Sequence, residues 1–220
     1  MRKHPFITDQ YYHVYNRGVD KRDIFMDKKD FDRFVLSLKE FNTVKPIGSI
    51  RESEKNKTDI QRLKEKNDVL VSIVCYCINN NHYHFILRQM IDGGISEFLK
   101  RLQGGYTKYF NKMHNRNGAL FQGRFKSKLI KDNDYFLKIR PYVNMNYLVH
   151  DIPEEKSHLV LSSCQEYDSL NFKLVSKEEA IKLLEFYGSN KNFKSECLKV
   201  IHMIREERGK DSLCISEDFI

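Results

Sequence analysis

The strongest constraint on the fold is a pair of apolar segments that flank a run of three asparagines. Residues 69–78 read VLVSIVCYCI and residues 82–89 read HYHFILRQ. Beta-branched and aromatic residues favour strands, and asparagine favours the turn between two strands. The two segments therefore predict an antiparallel β-hairpin at the centre of a sheet. The first segment is also too short to cross a bilayer, which takes about 20 apolar residues.

Residue patterns on both sides of the hairpin complete a mixed α and β arrangement. Residues 10–17 alternate and are rich in Tyr and Val, which predicts a strand. Asp30 then opens a segment whose apolar residues fall on one helical face. The later elements predicted in the same way are a helix at about residues 95–114, a strand at 119–130, and a helix that starts at Asp132 or Asn133 and ends at Pro153. This order is typical of an α+β fold with a ferredoxin-like (split β-α-β) antiparallel sheet and flanking helices.

Two segments lie outside this unit. Residues 44–67 are dense in mixed charge and poor in apolar residues, which predicts an exposed insertion with a short helix after Thr58. Residues 176–208 have the pattern of two further helices. We therefore expect a main domain at 1–170 and a small C-terminal helical extension at 171–220.

The positive charge of the chain is concentrated in one segment. The net charge is +8, and residues 98–131 contain nine Lys or Arg and no Asp or Glu. Aromatic residues are interleaved with these cations, and such a surface suits single-stranded nucleic acid, whose phosphates meet cations and whose bases stack on rings. A solvated basic helix with its aromatics in the core is the alternative, and we expect most of the aromatics to be core.

The number of cysteines and the N-terminal residues favour one cellular compartment over another. Five cysteines, an odd number scattered through 220 residues, do not resemble a secreted disulfide framework. The N-terminal residues lack the apolar core of a signal peptide. We expect reduced thiols in a cytoplasmic protein that has no membrane segment.

His82 and His84 are the first candidates for chemistry. Residues i and i+2 of a strand share a face, so both imidazoles can reach one ion. Taken alone, such a pair is more often hydrogen-bonded or at the surface. A structural zinc site that adds Cys75 and Cys77 is a second alternative, although the spacing is not a familiar zinc spacing. Alternation also explains both cysteines as buried strand residues.

The helix predicted after residue 132 places Tyr142 and Asn146 at i and i+4, on one face and one turn apart. A phenol and an amide would then share a direction and could both approach the histidine strand. On spacing alone, however, a packed tyrosine and a capping asparagine explain the pattern as well.

Taken together, these segments resemble the single-tyrosine HUH transposases, in particular the REP-associated tyrosine transposases. The resemblance runs from about Tyr12 to Tyr167, in family order. The matching pieces are YHVYNRGVDKRDIF at 12–25, NNHYHFIL at 80–87, GGYTKYFNKMHNRNGALFQGRFKSKLI at 104–130, DYFLKIRPYVNMN at 134–146, and more faintly LSSCQEY at 161–167. Several pieces in the right order are more specific than any one of them.

The resemblance implies a metal-dependent enzyme that cuts and rejoins single-stranded DNA. It assigns His82 and His84 as the histidine pair, Tyr142 as the nucleophile and Asn146 as a third ligand. The implied cofactor is a divalent metal, Mg2+ or Mn2+, and the implied intermediate is a 5'-phosphotyrosine. The implied partner is hairpin-forming single-stranded DNA, bound by a monomer or homodimer in a prokaryotic nucleoid. Pro141 departs from the family pattern, because a proline inside the helix removes a hydrogen bond just before Tyr142.

The DNA-contacting residues are predicted from their charge. They are Arg17, Lys108, Lys112, Arg116, Arg124, Lys126 and Lys128. The last three alternate along the predicted strand and so share a face, although lysines that protect an edge strand would show the same pattern.

The amino-acid sequence is also compatible with two functions of other classes. One is a non-catalytic regulator that binds nucleic acid without cutting it. The other is a zinc-stabilised interaction protein.

Overall fold

Five strands form one antiparallel sheet in the computed structural model, which describes residues 5–56, 68–150, 152 and 154–210. They are β1 Tyr11–Arg17, β2 Val71–Ile78, β3 His82–Gln89, β4 Lys126–Leu129 and β5 Leu161–Ser162. The sheet order is β4-β1-β3-β2-β5. The first four strands have the ferredoxin-like order, and β5 extends the sheet beyond β2. The predicted fold class and the predicted central hairpin are therefore confirmed.

Seven α-helices in the described residues surround the sheet. They are α1 Lys28–Glu40, α2 Ile50–Asn56, α3 Gly94–Met113, α4 Asn133–Asn144, α5 Cys164–Ser169, α6 Lys177–Tyr187 and α7 Asn190–Lys210. The Asp27 side chain caps α1 by accepting a hydrogen bond from the backbone N–H of Asp30, so this helix begins earlier than the sequence predicts. Helix α2 lies in the charged insertion and was not predicted. The helix predicted after Thr58 lies outside the described residues.

The two faces of the sheet are covered by different helices. On one face, Tyr83 and Phe85 of β3 are fully buried against α1 and α3. The ring of Phe34 lies 5.9 Å from that of Tyr83, and the Gln103 amide donates to the Tyr83 hydroxyl. Burying each such side chain stabilises the fold by about 1.5–3 kcal/mol. On the other face, α4 packs on β2 and β3, and α7 packs on α4.

Two predicted elements are wrong in extent. The strand predicted at 119–130 is reduced to Lys126–Leu129, because Gly123 adopts a positive φ of 64° that interrupts extended backbone. The helix predicted to continue to Pro153 ends at Asn144, and Asn146–Leu148 form a separate 3-10 turn. Helix α4 nevertheless continues through Pro141. Pro153 itself lies outside the described residues.

The two predicted C-terminal helices are present as α6 and α7. Arg88 of β3 binds Glu179 at 2.9 Å and Glu178 at 3.2 Å, and the Tyr11 hydroxyl donates to Glu179. These bonds fix α6 to the sheet. Whether residues 171–220 form a separate domain stays a prediction.

Two further features concern the cysteines and the helices of the described residues. Cys75, Cys77, Cys164 and Cys197 are buried and form no disulfide. None of the helices in the described ranges combines the length and apolarity needed to cross a membrane.

Candidate active site

The histidine strand and the tyrosine helix meet on one face of the sheet. His82 and His84 of β3 pair with Arg17 and Tyr15 of β1. In turn, β1 pairs Tyr15 with Lys126 of β4. Directly paired residues of antiparallel strands share a face, so these side chains project together. We call this side the histidine face, defined by His13, Tyr15, Arg17, His82, His84, Lys126 and Lys128.

His82 is held with one ring nitrogen directed at the 3-10 turn after α4. Its Nδ1 lies 2.6 Å from Oδ1 of Asn81, whose own amide nitrogen donates to the Lys21 carbonyl. An amide oxygen accepts only, so His82 carries its proton on Nδ1 and presents a lone pair at Nε2. That Nε2 lies 3.0 Å from Oδ1 of Asn146 and 2.8 Å from Nδ2 of Asn79.

His84 lies deeper, between His82 and the tyrosine. Its Nδ1 is 2.9 Å from Nε2 of His13, which is fully buried on β1. The His82 and His84 rings are perpendicular, with centroids 5.3 Å apart. A fourth imidazole, His150, lies 4.6 Å from His82 between ring centroids. The fold therefore adds two histidines, His13 and His150, to the predicted pair.

Tyr142 packs directly against this cluster. Its ring centroid lies 5.6 Å from that of His84, at 90°, and its side chain is 7% exposed. Tyrosine and histidines belong to the same chain. Two other tyrosines, both on α3, lie on the other side of the sheet: the Tyr106 hydroxyl donates to the Ile24 carbonyl, and Tyr109 stacks under Arg33.

The end of α4 places the third predicted ligand. Asn146 is not on the same α-helix as Tyr142, because Met145 leaves helical geometry with φ −121°. The prediction of one continuous helical face is therefore wrong, yet the 3-10 turn still carries the Asn146 side chain to His82.

Burial keeps the imidazoles neutral. It lowers the pKa of His13 from its usual 6.5 to about 3. It also lowers the pKa of His82, and a hydrogen bond that the protonated ring donates to Asn146 Oδ1 partly offsets this shift. Burial and then the neighbouring imidazoles hold the pKa of His84 well below its usual value. Neutral imidazoles with free lone pairs are the form that binds metal ions.

The residues present fit a divalent cation. The Asn146 amide is oriented with Oδ1 toward His82. In this orientation its Nδ2 is buried and has no hydrogen-bond partner among the described residues, which costs about 1–3 kcal/mol. The 3.0 Å between His82 Nε2 and Asn146 Oδ1 equals the spacing of adjacent ligands around an octahedral ion with bonds of about 2.1 Å. The amide oxygen suits Mg2+ or Mn2+, and the two imidazoles favour Mn2+ of these two ions. Among the described residues, no group of three His, Cys, Asp or Glu side chains is arranged to hold a metal ion.

The zinc alternative receives less support from the geometry. Within the hairpin, Cys77 pairs with His84. Cys75 pairs with Ile86, which is two residues further along β3 than His84 and is not a candidate ligand. Burial raises the pKa of both thiols to about 12, which disfavours the thiolate that zinc requires.

The predicted DNA-contacting cations fall into two groups. Arg17, Lys126 and Lys128 lie on the histidine face, and Arg124 is exposed just before β4. The other three lie with α3 on the opposite side of the sheet: Lys108, Lys112 and Arg116. The structure brings the first group together with the histidines and not the second.

Four polar residues at the site were not predicted from the sequence: His13, Asn79, Asn81 and His150. The alternation of His13 with Tyr15 and Arg17 on β1 was the one available signal. The sequence contains no signal for the strand register that brings His13 to His84, nor for the turn geometry of Asn79.

The metal-free protein should lose stability as the pH falls below about 6.5. Between 6.5 and about 3 the unfolded chain protonates His13 while the folded chain does not, and His82 and His84 shift in the same direction. Each such histidine lowers the free energy of unfolding by up to about 1.4 kcal/mol per pH unit. Above pH 6.5 both states are neutral, so these groups add no pH dependence.

Urea denaturation at pH 7.5, 6 and 5 measures this effect. The variant His13→Phe should flatten the slope, because it removes one of the three buried histidines. The exposed His158 provides the control, because His158→Asn should leave the slope unchanged. If His13→Phe leaves the slope unchanged, the buried neutral His13 is not a source of the pH dependence of stability.

Comparisons with known proteins agree with this geometry. Residues 50–146 match a family model described as "Transposase IS200 like". This segment includes the hairpin, α3, β4 and α4, and ends at Asn146. A solved structure described as "Structure of the REP associates tyrosine transposase bound to a REP hairpin" has a similar fold. Its TM-score is 0.50 at 12% sequence identity, and the match covers 80% of this chain and 89% of that chain. No curated protein matches the sequence.

Proposed function

We propose that this chain is a metal-dependent transposase that cleaves and rejoins hairpin-bearing single-stranded DNA through Tyr142, and the match of residues 50–146 to the IS200-like transposase family model supports the proposal. The observation that carries the proposal is the packing of Tyr142 on His84, with Asn146 on His82, all within one chain. A single protomer then contains the nucleophile and the ligands. The solved structure of similar fold was described with a REP hairpin, which supports the choice of substrate.

Each residue has a role that its position supports. His82, His84 and Asn146 would hold the divalent ion, and Asn81 and His13 orient the rings of the two histidines. A bound Mg2+ or Mn2+ supplies polarisation of the scissile phosphate and stabilises the charge that grows on its oxygens.

Tyr142 acts as the nucleophile. Its phenolic oxygen forms a bond to phosphorus while the bond from phosphorus to the 3'-oxygen breaks. The phenol loses its proton and the leaving 3'-oxygen gains one. The products are a 5'-phosphotyrosine and a free 3'-hydroxyl, which can reverse the step on a new end. The edge-on contact with the buried His84 and His13 rings limits the motion of the Tyr142 ring.

The DNA strand would approach along the histidine face. Lys126 and Lys128 are exposed on edge strand β4, and β4 pairs with β1 next to the histidine strand. Arg17 pairs with His82 itself. We assign these cations, which share a face with the histidines, to contacts with DNA phosphates, and Arg124 precedes the same edge strand. The C-terminal helix α7 packs on α4, which supports a role for residues 171–220 in holding the catalytic helix.

The decisive experiment is adduct formation. The protein is incubated with a 3'-end-labelled single strand that contains a hairpin, with Mn2+ or with EDTA, and run on a denaturing gel. A Mn2+-dependent band of protein joined to labelled DNA supports the proposal. DNA binding without any adduct would support the non-catalytic regulator instead.

Removing Lys126 and Lys128 should weaken DNA binding without selectivity for sequence. Loss of two phosphate contacts on a single strand reduces the slope of log affinity against log salt by about 1.4. Fluorescence anisotropy at several salt concentrations measures it for Lys126→Ala/Lys128→Ala. The matched control, Lys108→Ala/Lys112→Ala, removes equal charge from α3 on the opposite side. Equal slopes in both double variants would show that the strand does not follow the histidine face in particular.

A further inference from the structure

Asn79 occupies a central position in the site, within hydrogen-bond distance of both His82 and Asn146. It is the first residue after β2, and its backbone N–H donates to the His82 carbonyl at 2.8 Å. Its side chain is fully buried. The hairpin turn therefore fixes the Asn79 backbone beside the ligand strand and directs its amide inward.

Three polar atoms form a nearly equilateral triangle there. Asn79 Nδ2 lies 2.8 Å from His82 Nε2 and 2.9 Å from Asn146 Oδ1, and these two atoms are 3.0 Å apart. Three ligands on one face of an octahedral ion with bonds of about 2.0–2.1 Å have mutual distances of about 2.9 Å. The triangle thus has the size of a ligand face, with an amide nitrogen at one corner.

An amide can exchange its nitrogen and oxygen by half a turn about its last side-chain bond. As placed, the Asn79 nitrogen donates to the two lone pairs of His82 and Asn146, which satisfies them when no cation is bound. The Asn79 oxygen accepts only a weak bond from the Cys77 thiol, at 3.5 Å. Sulfur is a weak donor and a weak acceptor, so the rotated amide loses little at that end.

We propose that Asn79 is an additional metal ligand, whose amide rotates from hydrogen-bond donor to oxygen ligand when a divalent cation enters between His82 and Asn146. The inference rests on the proposed function, because it concerns the same metal site. Rotation replaces the donor that faces two lone pairs with an oxygen that faces the cation. The same side chain therefore stabilises the ligands in both states of the site.

A fixed hydrogen-bond donor is the alternative role for Asn79, and carboxylate replacement separates the two. A ligand at this corner becomes stronger when an amide oxygen is replaced by a carboxylate, so Asn79→Asp should bind Mn2+ at least about tenfold more tightly. Asn79→Leu keeps the volume but offers no oxygen, and should weaken binding by about 10–100-fold. A fixed donor predicts that both variants bind more weakly.

Isothermal titration of the full chain with Mn2+ measures these affinities, and thermal unfolding without metal checks that each variant folds. A second readout follows the side-chain amide of Asn79 by 1H–15N NMR, assigned by its absence in Asn79→Asp. Titration with diamagnetic Mg2+ should move both amide protons upfield as their two hydrogen bonds are lost. His84→Ala serves as the reference for a site that has lost a ligand.

The outcomes are distinguishable. If the wild type binds Mn2+ and both Asn79 variants bind equally well, or Asn79→Asp binds more weakly, the rotation is refuted and the proposed transposase stands. An amide signal that Mg2+ leaves in place refutes it as well. If the wild type binds neither ion, the metal site of the proposed function fails, and the role of Asn79 fails with it.

Discussion

Tyr142→Phe is expected to abolish covalent attachment of DNA while DNA binding is retained. The phenolic oxygen is the proposed nucleophile, so adduct formation should fall by more than about a thousandfold. Phenylalanine keeps the ring that packs on His84 and His13, and the loss of one hydroxyl should change stability by only about 1 kcal/mol. Activity and folding are therefore separable in this variant.

The measurement is the adduct assay with 3'-end-labelled hairpin DNA, run beside an anisotropy titration of the same strand. Tyr109→Phe is the matched control, since Tyr109 lies on α3 under Arg33, on the far side of the sheet. It should form the adduct at the wild-type rate. An adduct that persists in Tyr142→Phe would remove the tyrosine from the mechanism.

His84→Ala is expected to have the second large effect, on metal binding and on cleavage together. The substitution removes an imidazole that is 5% exposed and leaves His13 Nε2 without its partner. Affinity for Mn2+ should fall by at least about 100-fold, and the adduct should disappear. The cavity and the orphaned imidazole should also lower the free energy of unfolding by about 2–4 kcal/mol.

Because folding is affected, metal affinity must be measured on protein shown to be folded. Calorimetric titration with Mn2+ is compared with the wild type at a temperature well below the unfolding transition of the variant. The variant His202→Ala is the control, because that side chain is 75% exposed on α7. Wild-type Mn2+ affinity in folded His84→Ala would exclude His84 as a ligand.

The hairpin of β2 and β3 was predictable because its information is local. The pairing of its two strands follows from local patterns alone: a β-branched run, an asparagine turn and a strand with alternating apolar residues. The same is true of the face shared by His82 and His84, since strand period fixes it. The order of elements then restricted the topology to a ferredoxin-like sheet, which the observed strand order confirms.

Element ends were less predictable, because long-range packing and single backbone angles decide them. The sequence predicted a strand through Gly123 and a helix through Asn146. Instead Gly123 takes a positive φ and Met145 leaves the helix. In both places local propensity was compatible with continuation, and tertiary contacts decided against it.

The amino-acid sequence by itself determined the fold class, the basic segment, the shared direction of two imidazoles and the residues whose types suit phosphoryl transfer. Only the tertiary structure decided that Tyr142 meets His84 within one chain. It also decided that Asn146 and Asn79 converge on His82, and that His13 reaches His84 from a strand about 70 residues away. The physical reason is that periodicity fixes the direction of a side chain along its own element. The distance between elements depends on strand register and helix packing, which no local pattern specifies.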